Sequence, residues 1–241
     1  ESNAQSRYDD LNENAVMVVG EQDGSFDADD YILFYGMSPA IWKYNYFTGL
    51  FEHQVNYYTD ETYYFLTYDL GPGKRIVQDS MVSDDPTVIL EEFTDYQVHE
   101  EENINILKTG KIWWGEHYKN QITHDYAFEF PNIVTDRKVS LRTNIAARST
   151  QYSYFDYYYN GDLILNAAIS KINLSSTIYA YSSTPDSVGF YPLDDNISIS
   201  VTYDKTSIVA EGWLNYIELN ARRKLSMVDG QLQFRDNLNY G

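Results

Sequence analysis

Apolar and polar residues alternate along long stretches of this chain with a period of two. Between residues 139 and 147, Val139, Leu141, Thr143, Ile145 and Ala147 fall on one side, and Ser140, Arg142 and Asn144 on the other. Successive side chains of a strand point to opposite faces, so this pattern predicts a half-buried β-strand. Ile197, Ile199, Val201 and Tyr203 repeat it. Residues 152–159 lead into Asn160-Gly161, and Leu163, Leu165, Ala167 and Ile169 then share one face. Asn-Gly favours the two left-handed conformations of a type I′ turn, so the segment predicts a β-hairpin. Residues 212–227 contain good helix formers. However, Ile217, Leu219 and Ala221 alternate with Tyr216, Glu218, Asn220 and Arg222, which predicts a long strand instead.

Earlier in the chain, residues 31–35 and 63–68 read as compact aromatic strands, with turns between them around Pro39 and Gly49. Gly71-Pro72-Gly73 is a turn, and residues 78–87, with Ser80, Ser83, Asp84, Asp85 and Pro86, read as a linker. The expected organisation is therefore all-β. A small β-rich domain over residues 1–86 precedes an antiparallel β-sandwich or jelly roll over residues 87–241, the latter built from seven or eight strands.

Composition strengthens that reading. The chain has 241 residues, among them 24 tyrosines, 11 phenylalanines and 4 tryptophans, and aromatic rings fit a pleated surface better than a helix face. The 36 acidic side chains outnumber the 17 Lys and Arg, for a formal charge of −19. That field repels phosphate backbones and anionic lipid, which argues against nucleic-acid or membrane-surface partners. The absence of cysteine excludes disulfides, a thiolate nucleophile and cysteine zinc sites. No apolar run reaches the ~18 residues needed to span a bilayer. The start at Glu1, without methionine or an apolar leader, fits a mature or engineered start in a secreted protein.

Few constellations carry chemistry. Asp23, Ser25, Asp27 and Asp29 place oxygen side chains at alternate positions, the spacing of a calcium loop. Ala28 stands where an EF-hand needs its turn glycine and Phe34 where it needs the bidentate Glu, so an acidic turn before residue 31 is the simpler account. The four histidines, His53, His99, His117 and His124, show no paired spacing on one helix face, which leaves zinc only as a site assembled from distant strands. Glu91-Glu92 and Glu100-Glu101-Glu102 read as solvated charge runs rather than a catalytic carboxylate pair. No Gly-x-Ser-x-Gly elbow is present. Trp113 and Trp114 would stack on sugar rings if both faced outward; on a strand, one of an adjacent pair faces the core and the other a neighbouring surface. Asn173-Leu174-Ser175 and Asn196-Ile197-Ser198 match the glycosylation pattern, which three residues meet by chance.

Several ordered segments resemble a known family. They are residues 21–36 (Glu-Gln-Asp-Gly-Ser-Phe-Asp through Tyr-Gly) and 56–67; Tyr96-Gln97-Val98-His99-Glu100; Gly110-Lys111-Ile112-Trp113-Trp114-Gly115-Glu116; Ala146-Ala147-Arg148-Ser149; residues 212–220; and Gln231-Leu232-Gln233-Phe234-Arg235-Asp236. Together, over residues 18–236, they are similar to the non-catalytic region upstream of the peptidase domain in gingipain-type cysteine peptidases, in the PorU-like sortase branch of the type IX secretion system. The resemblance implies a fragment with no catalytic residue and no cofactor of its own. It also implies export to the periplasm or outer-membrane surface of a Gram-negative bacterium. Its partners would be a downstream cysteine peptidase domain of the same parent chain and, beyond it, cargo or secretion-system subunits. Asp79-Ser80-Met81 and Asp186-Ser187-Val188 look like the sugar-attachment pattern of such secreted proteins. The alternative is a stand-alone carbohydrate-binding or adhesive β-sandwich.

Overall fold

The computed structural model describes residues 11–68, 70–78, 85, 89–108 and 112–234. Among them the chain is all-β, with one short 3-10 turn at Glu21–Asp23. Contacts divide it into two units, residues up to 41 with 55–87, and residues 42–54 with 88 onward. The reading of residues 78–87 as a linker falls almost wholly outside the described residues, as do Asp79-Ser80-Met81 and the Gly110-Lys111 pair.

In the first unit, β1 (Val16–Val19) pairs antiparallel with β2 (Tyr31–Phe34). The far side of β1 takes a parallel bridge from Arg75, where the Val16 amide donates to the Lys74 carbonyl at 3.0 Å and the Ile76 amide to the Val16 carbonyl at 2.9 Å. Every residue of β2 is exposed. Residues 63–68, expected as a strand, take no strand pairing. Their aromatic side chains lie along the surface, with the Tyr64 ring 5.2 Å from Phe34.

The second unit is a sandwich of two antiparallel sheets. One runs β10 (Tyr181–Ser183), β7 (Val139–Arg148), β13 (Glu211–Lys224), β5 (Glu92–Glu100), with β11 (Val188–Phe190) also on β7. The other runs β6 (Thr123–Glu129), β12 (Asn196–Asp204), β8 (Ser153–Tyr159), β9 (Asp162–Ile169). The alternating residues behave as expected: Leu141, Ile145, Ile199, Val201, Phe155, Tyr157, Tyr203, Ile217 and Leu219 are all buried in one core between the sheets. Nine strands stand among the described residues of this half, against seven or eight expected; two, β10 and β11, have only three residues each and share one edge of β7.

Two bulges adjust the faces. In β13 the register to β7 slips between Leu214 and Tyr216, so Leu214 and Ile217 both reach the core although they are three residues apart. In β9 the pairing with β8 jumps from Leu165 to Leu163. Leu163, expected to share the face of Leu165, is therefore exposed, and Ile164 packs on the core instead. The turn between these strands is as read: Asn160 (φ 49°) and Gly161 (φ 84°) are both left-handed.

Residues 41–54, read as turns, form a hairpin of β3 (Ile41–Asn45) and β4 (Leu50–Gln54). This hairpin covers the outer face of the first sheet of the sandwich. Side chains of β13 act there as a surrogate strand. The Asn220 carboxamide accepts from the Phe51 amide at 2.8 Å and donates to its carbonyl at 2.9 Å, and the Glu218 carboxylate accepts from the His53 amide. Phe51 is fully buried beside Tyr96, which stacks on Trp42 at 4.2 Å.

Candidate functional site

Of the clusters of titratable side chains among the described residues of the sandwich unit, two bring histidine and carboxylates together with at least three members close around one another. The first lies under the β3–β4 hairpin. His53 bonds Glu218 through Nδ1 at 2.7 Å and Glu100 through Nε2 at 3.1 Å. Arg142 bonds the other oxygen of Glu218 and lies 3.5 Å from Glu52. Glu218 is 0% exposed, so its charge is tenable only because a histidine and a guanidinium both face it. Burial alone would lower the His53 pKa, but the hydrogen bonds and charges of Glu100 and Glu218 outweigh it and push it up to about 9. Burial next to the same carboxylates raises Tyr216, whose ring meets His53 edge-on, to about 12. Each charged member is paired, and the network holds the hairpin to the sheet.

The second cluster sits where the edge strands β5 and β6 face one another. His99 lies at the end of β5, and Glu101 follows one residue beyond the strand's last residue, Glu100. Glu116 reaches them from the segment Trp113 to Tyr118, which hydrogen bonds fix in place. Trp114 exchanges backbone bonds with Ile104 at 2.8 and 2.9 Å, the Gly115 amide donates to Leu214 at 2.8 Å, and the Tyr118 amide donates to Gly212 at 2.8 Å. Gly115 is needed for the approach: a Cβ there would stand 3.1 Å from Cβ of Glu101 and 3.2 Å from its carbonyl. His99 donates through Nε2 to Oε1 of Glu116 at 2.7 Å. That bond, ahead of the opposing effect of burial, raises the His99 pKa. Burial works against ionisation of Glu116, yet the bond and charge of His99 hold its pKa below the usual carboxylate range. The His99 ring lies 4.6 Å from Tyr126, whose hydroxyl is 2.7 Å from that of Tyr118. Burial pushes both phenols far above their ordinary range, so they remain neutral donors.

One imidazole nitrogen and two carboxylates, of His99, Glu101 and Glu116, thus converge within 4.8 Å of one another. Spacing along the chain gave no signal for this, since His99 and Glu116 are 17 residues apart.

The residues singled out from sequence are placed differently. Asp23 accepts the Ser25 amide at 2.9 Å, and Asp30 accepts the Asp27 amide at 2.7 Å, so two carboxylates close the acidic turn on its own backbone. Asp23, Ser25, Asp27 and Asp29 remain exposed there, and among the described residues the three metal-binding side chains that converge are His99, Glu101 and Glu116. The two indoles part company: Trp114 is 7% exposed, packed with Trp213, Ala146, Ile104 and Ile106, while Trp113 is 39% exposed. Only Trp113 offers a face to a ligand. No helix among the described residues is long and apolar enough to cross a membrane.

Two antiparallel sheets with a hairpin laid over one of them define the class, a β-sandwich protein. Within it, the chain shares its fold with part of one particular solved structure, the dimeric latent PorU of Porphyromonas gingivalis. The two agree with a TM-score of 0.77 over 95% of this chain at 18% identity, and this chain spans 21% of that one. At that identity the likeness concerns the fold. A carbohydrate-binding CBM36-1 domain of a multidomain xylanase, from the hindgut metagenome of Trinervitermes trinervoides, overlaps 52% of this chain and 96% of its own with a TM-score of 0.36 at 9% identity, which is too slight an overlap to carry a comparison. No protein family and no curated protein matches the sequence.

Proposed function

We propose that the chain is a non-catalytic β-rich portion of a PorU-like exported protein, which packs on a downstream cysteine peptidase domain or presents cargo and partner subunits to it. The observation that carries the reading is the surface of the first unit. Tyr31, Leu33 and Phe34 along β2, Tyr35 just after it, and Tyr63, Phe65, Leu66 and Tyr68 further on, are all exposed. A two-stranded ribbon is marginal by itself in water, and so many exposed large apolar side chains on it and beside it mark a place where protein packs on protein. The likeness to PorU over nearly the whole of this chain, and about a fifth of that one, supports the same reading. In this reading the chain contributes packing area rather than chemistry, and works at the periplasmic or outer-membrane surface of a Gram-negative bacterium.

Two measurements test it. The gene read past the codon for Gly241 is expected to continue into a domain carrying a Cys and His pair. In that intact product, amides of residues 31–35 and 63–68 are expected to exchange with solvent more slowly than in the 241-residue chain. A reading frame without such a domain, or equal exchange in both proteins, removes the proposal.

A further inference from the structure

We infer that His99, Glu101 and Glu116 form a binding site for a divalent transition-metal ion of the zinc class, which ties the 113–118 segment to the β5 edge of the sandwich. The donor set is the first argument. The three ligand atoms lie within 4.8 Å of one another, and donors held at about 2.0–2.2 Å from one tetrahedral zinc ion stand about 3.3–3.6 Å apart, so the widest pair closes by about 1 Å on binding, within reach of a rotation of the exposed Glu101 side chain. An imidazole nitrogen with two carboxylates suits zinc and its neighbours, whereas calcium seeks six to eight oxygens and would gain little from His99.

The second argument is independent of the cluster's composition. Oε2 of Glu116 is shielded from solvent and has no hydrogen-bond partner, while its sister oxygen is bound to His99. A buried carboxylate oxygen without a donor forfeits its hydration, and a cation between the two glutamates restores the balance. Nε2 of His124, the neighbour of the Tyr118 ring, is likewise buried and unpartnered.

The third argument is preorganisation. His99 ends β5, Glu101 stands just past it, and Glu116 comes from a segment bonded on both sides, to Ile104 and to the 212–214 stretch of β13, so little backbone entropy remains to be lost on binding. Glu101 is exposed, which leaves a path for an ion to enter from the edge. His99 gives up its bond to Glu116 when both take the ion, and a proton leaves the imidazole, so binding strengthens as pH rises.

The experiment titrates zinc chloride into the EDTA-stripped 241-residue chain, followed by calorimetry and thermal melting, with magnesium and calcium chloride as comparisons. One equivalent of zinc is expected to bind at micromolar concentration and raise the melting temperature, and the other two ions are not. Cobalt in place of zinc is expected to give a visible absorption band. Glu101→Gln, at an exposed side chain with no bond to His99, is expected to fold as the parent does and to lose at least tenfold in zinc affinity. His99→Gln is expected to abolish the cobalt band. The inference falls if zinc neither binds nor shifts melting, or if Glu101→Gln and His99→Gln both bind zinc as tightly as the parent chain.

Discussion

His53 is a residue whose charge the fold decides. Its pKa rises from 6.5 to about 9 because Glu100 and Glu218 face it in a site shielded from water, with Arg142 and Glu52 completing the set. A histidine with a raised folded pKa contributes stability that is fully present below about pH 6.5 and fades as pH climbs through about 9. Here that contribution is on the order of 3 kcal/mol. Nuclear magnetic resonance of the His53 ring is expected to show a midpoint near 9, and His53→Gln is expected to flatten the stability loss between neutral and alkaline pH. A midpoint near 6.5 would show that the carboxylates do not hold it charged. The tryptophan pair makes a second prediction at this scale. Trp114→Ala empties a buried cluster and is expected to cost about 3–5 kcal/mol in denaturant unfolding, whereas Trp113→Ala, at a partly exposed ring, is expected to cost under about 1 kcal/mol. One indole of the pair does face inward, as strand alternation would have it, but the pair lies on no strand: an isolated bridge between Trp114 and Ile104 sets the direction. The convergence of His99 with Glu116 follows from no alternation, because it depends on which strands lie at the sheet edges.

At the level of elements, most of the sandwich was legible. The Asn160-Gly161 hairpin, the alternation in β7 and β12, and the strand rather than helix at β13 all stand as read. Departures have local causes. A bulge takes Leu163 out of the face that strict alternation assigns it. Residues 63–68 have strand composition but no partner strand, and pairing rather than composition makes a sheet. The β3–β4 hairpin was missed because its anchor is not in its own sequence but in Glu218 and Asn220, some 165 and 169 residues away. Phe51→Ala is accordingly expected to cost about 3–5 kcal/mol and to speed exchange of hairpin amides ahead of those in β7. Gly212→Ala would put a methyl 2.7 Å from the Phe155 ring and is expected to cost about 1–3 kcal/mol, read from the denaturant midpoint.

Across the whole molecule, a formal charge of −19 opposes compaction by self-repulsion, and salt relieves it. Raising ionic strength from about 0.01 to about 0.15 M shortens the screening length from about 30 to about 8 Å, and the melting temperature is expected to rise with it. A fall would mean that ion pairs such as those around Glu218, and those of Glu211 with His117 and Lys119, outweigh the general repulsion. The two units should also differ in kind. The sandwich owns a continuous buried core, while the first unit's described residues have none, so the amides of β7, β12 and β13 are expected to define the slowest exchange and those of β1 and β2 the fastest.

The position of β13 has a consequence for how the molecule is made. This strand, the last among the described residues, is inserted between β7 and β5 and supplies the anchors for the β3–β4 hairpin as well. Until residue 224 has emerged, the first sheet is split in two, with β5 lacking its only partner strand among the described residues. Any machinery that handles the polypeptide as a thread, from ribosome to translocation pore, therefore meets a sandwich that cannot lock before β13 arrives. Any product cut short of β13 is left with two open strand edges in search of a neighbour.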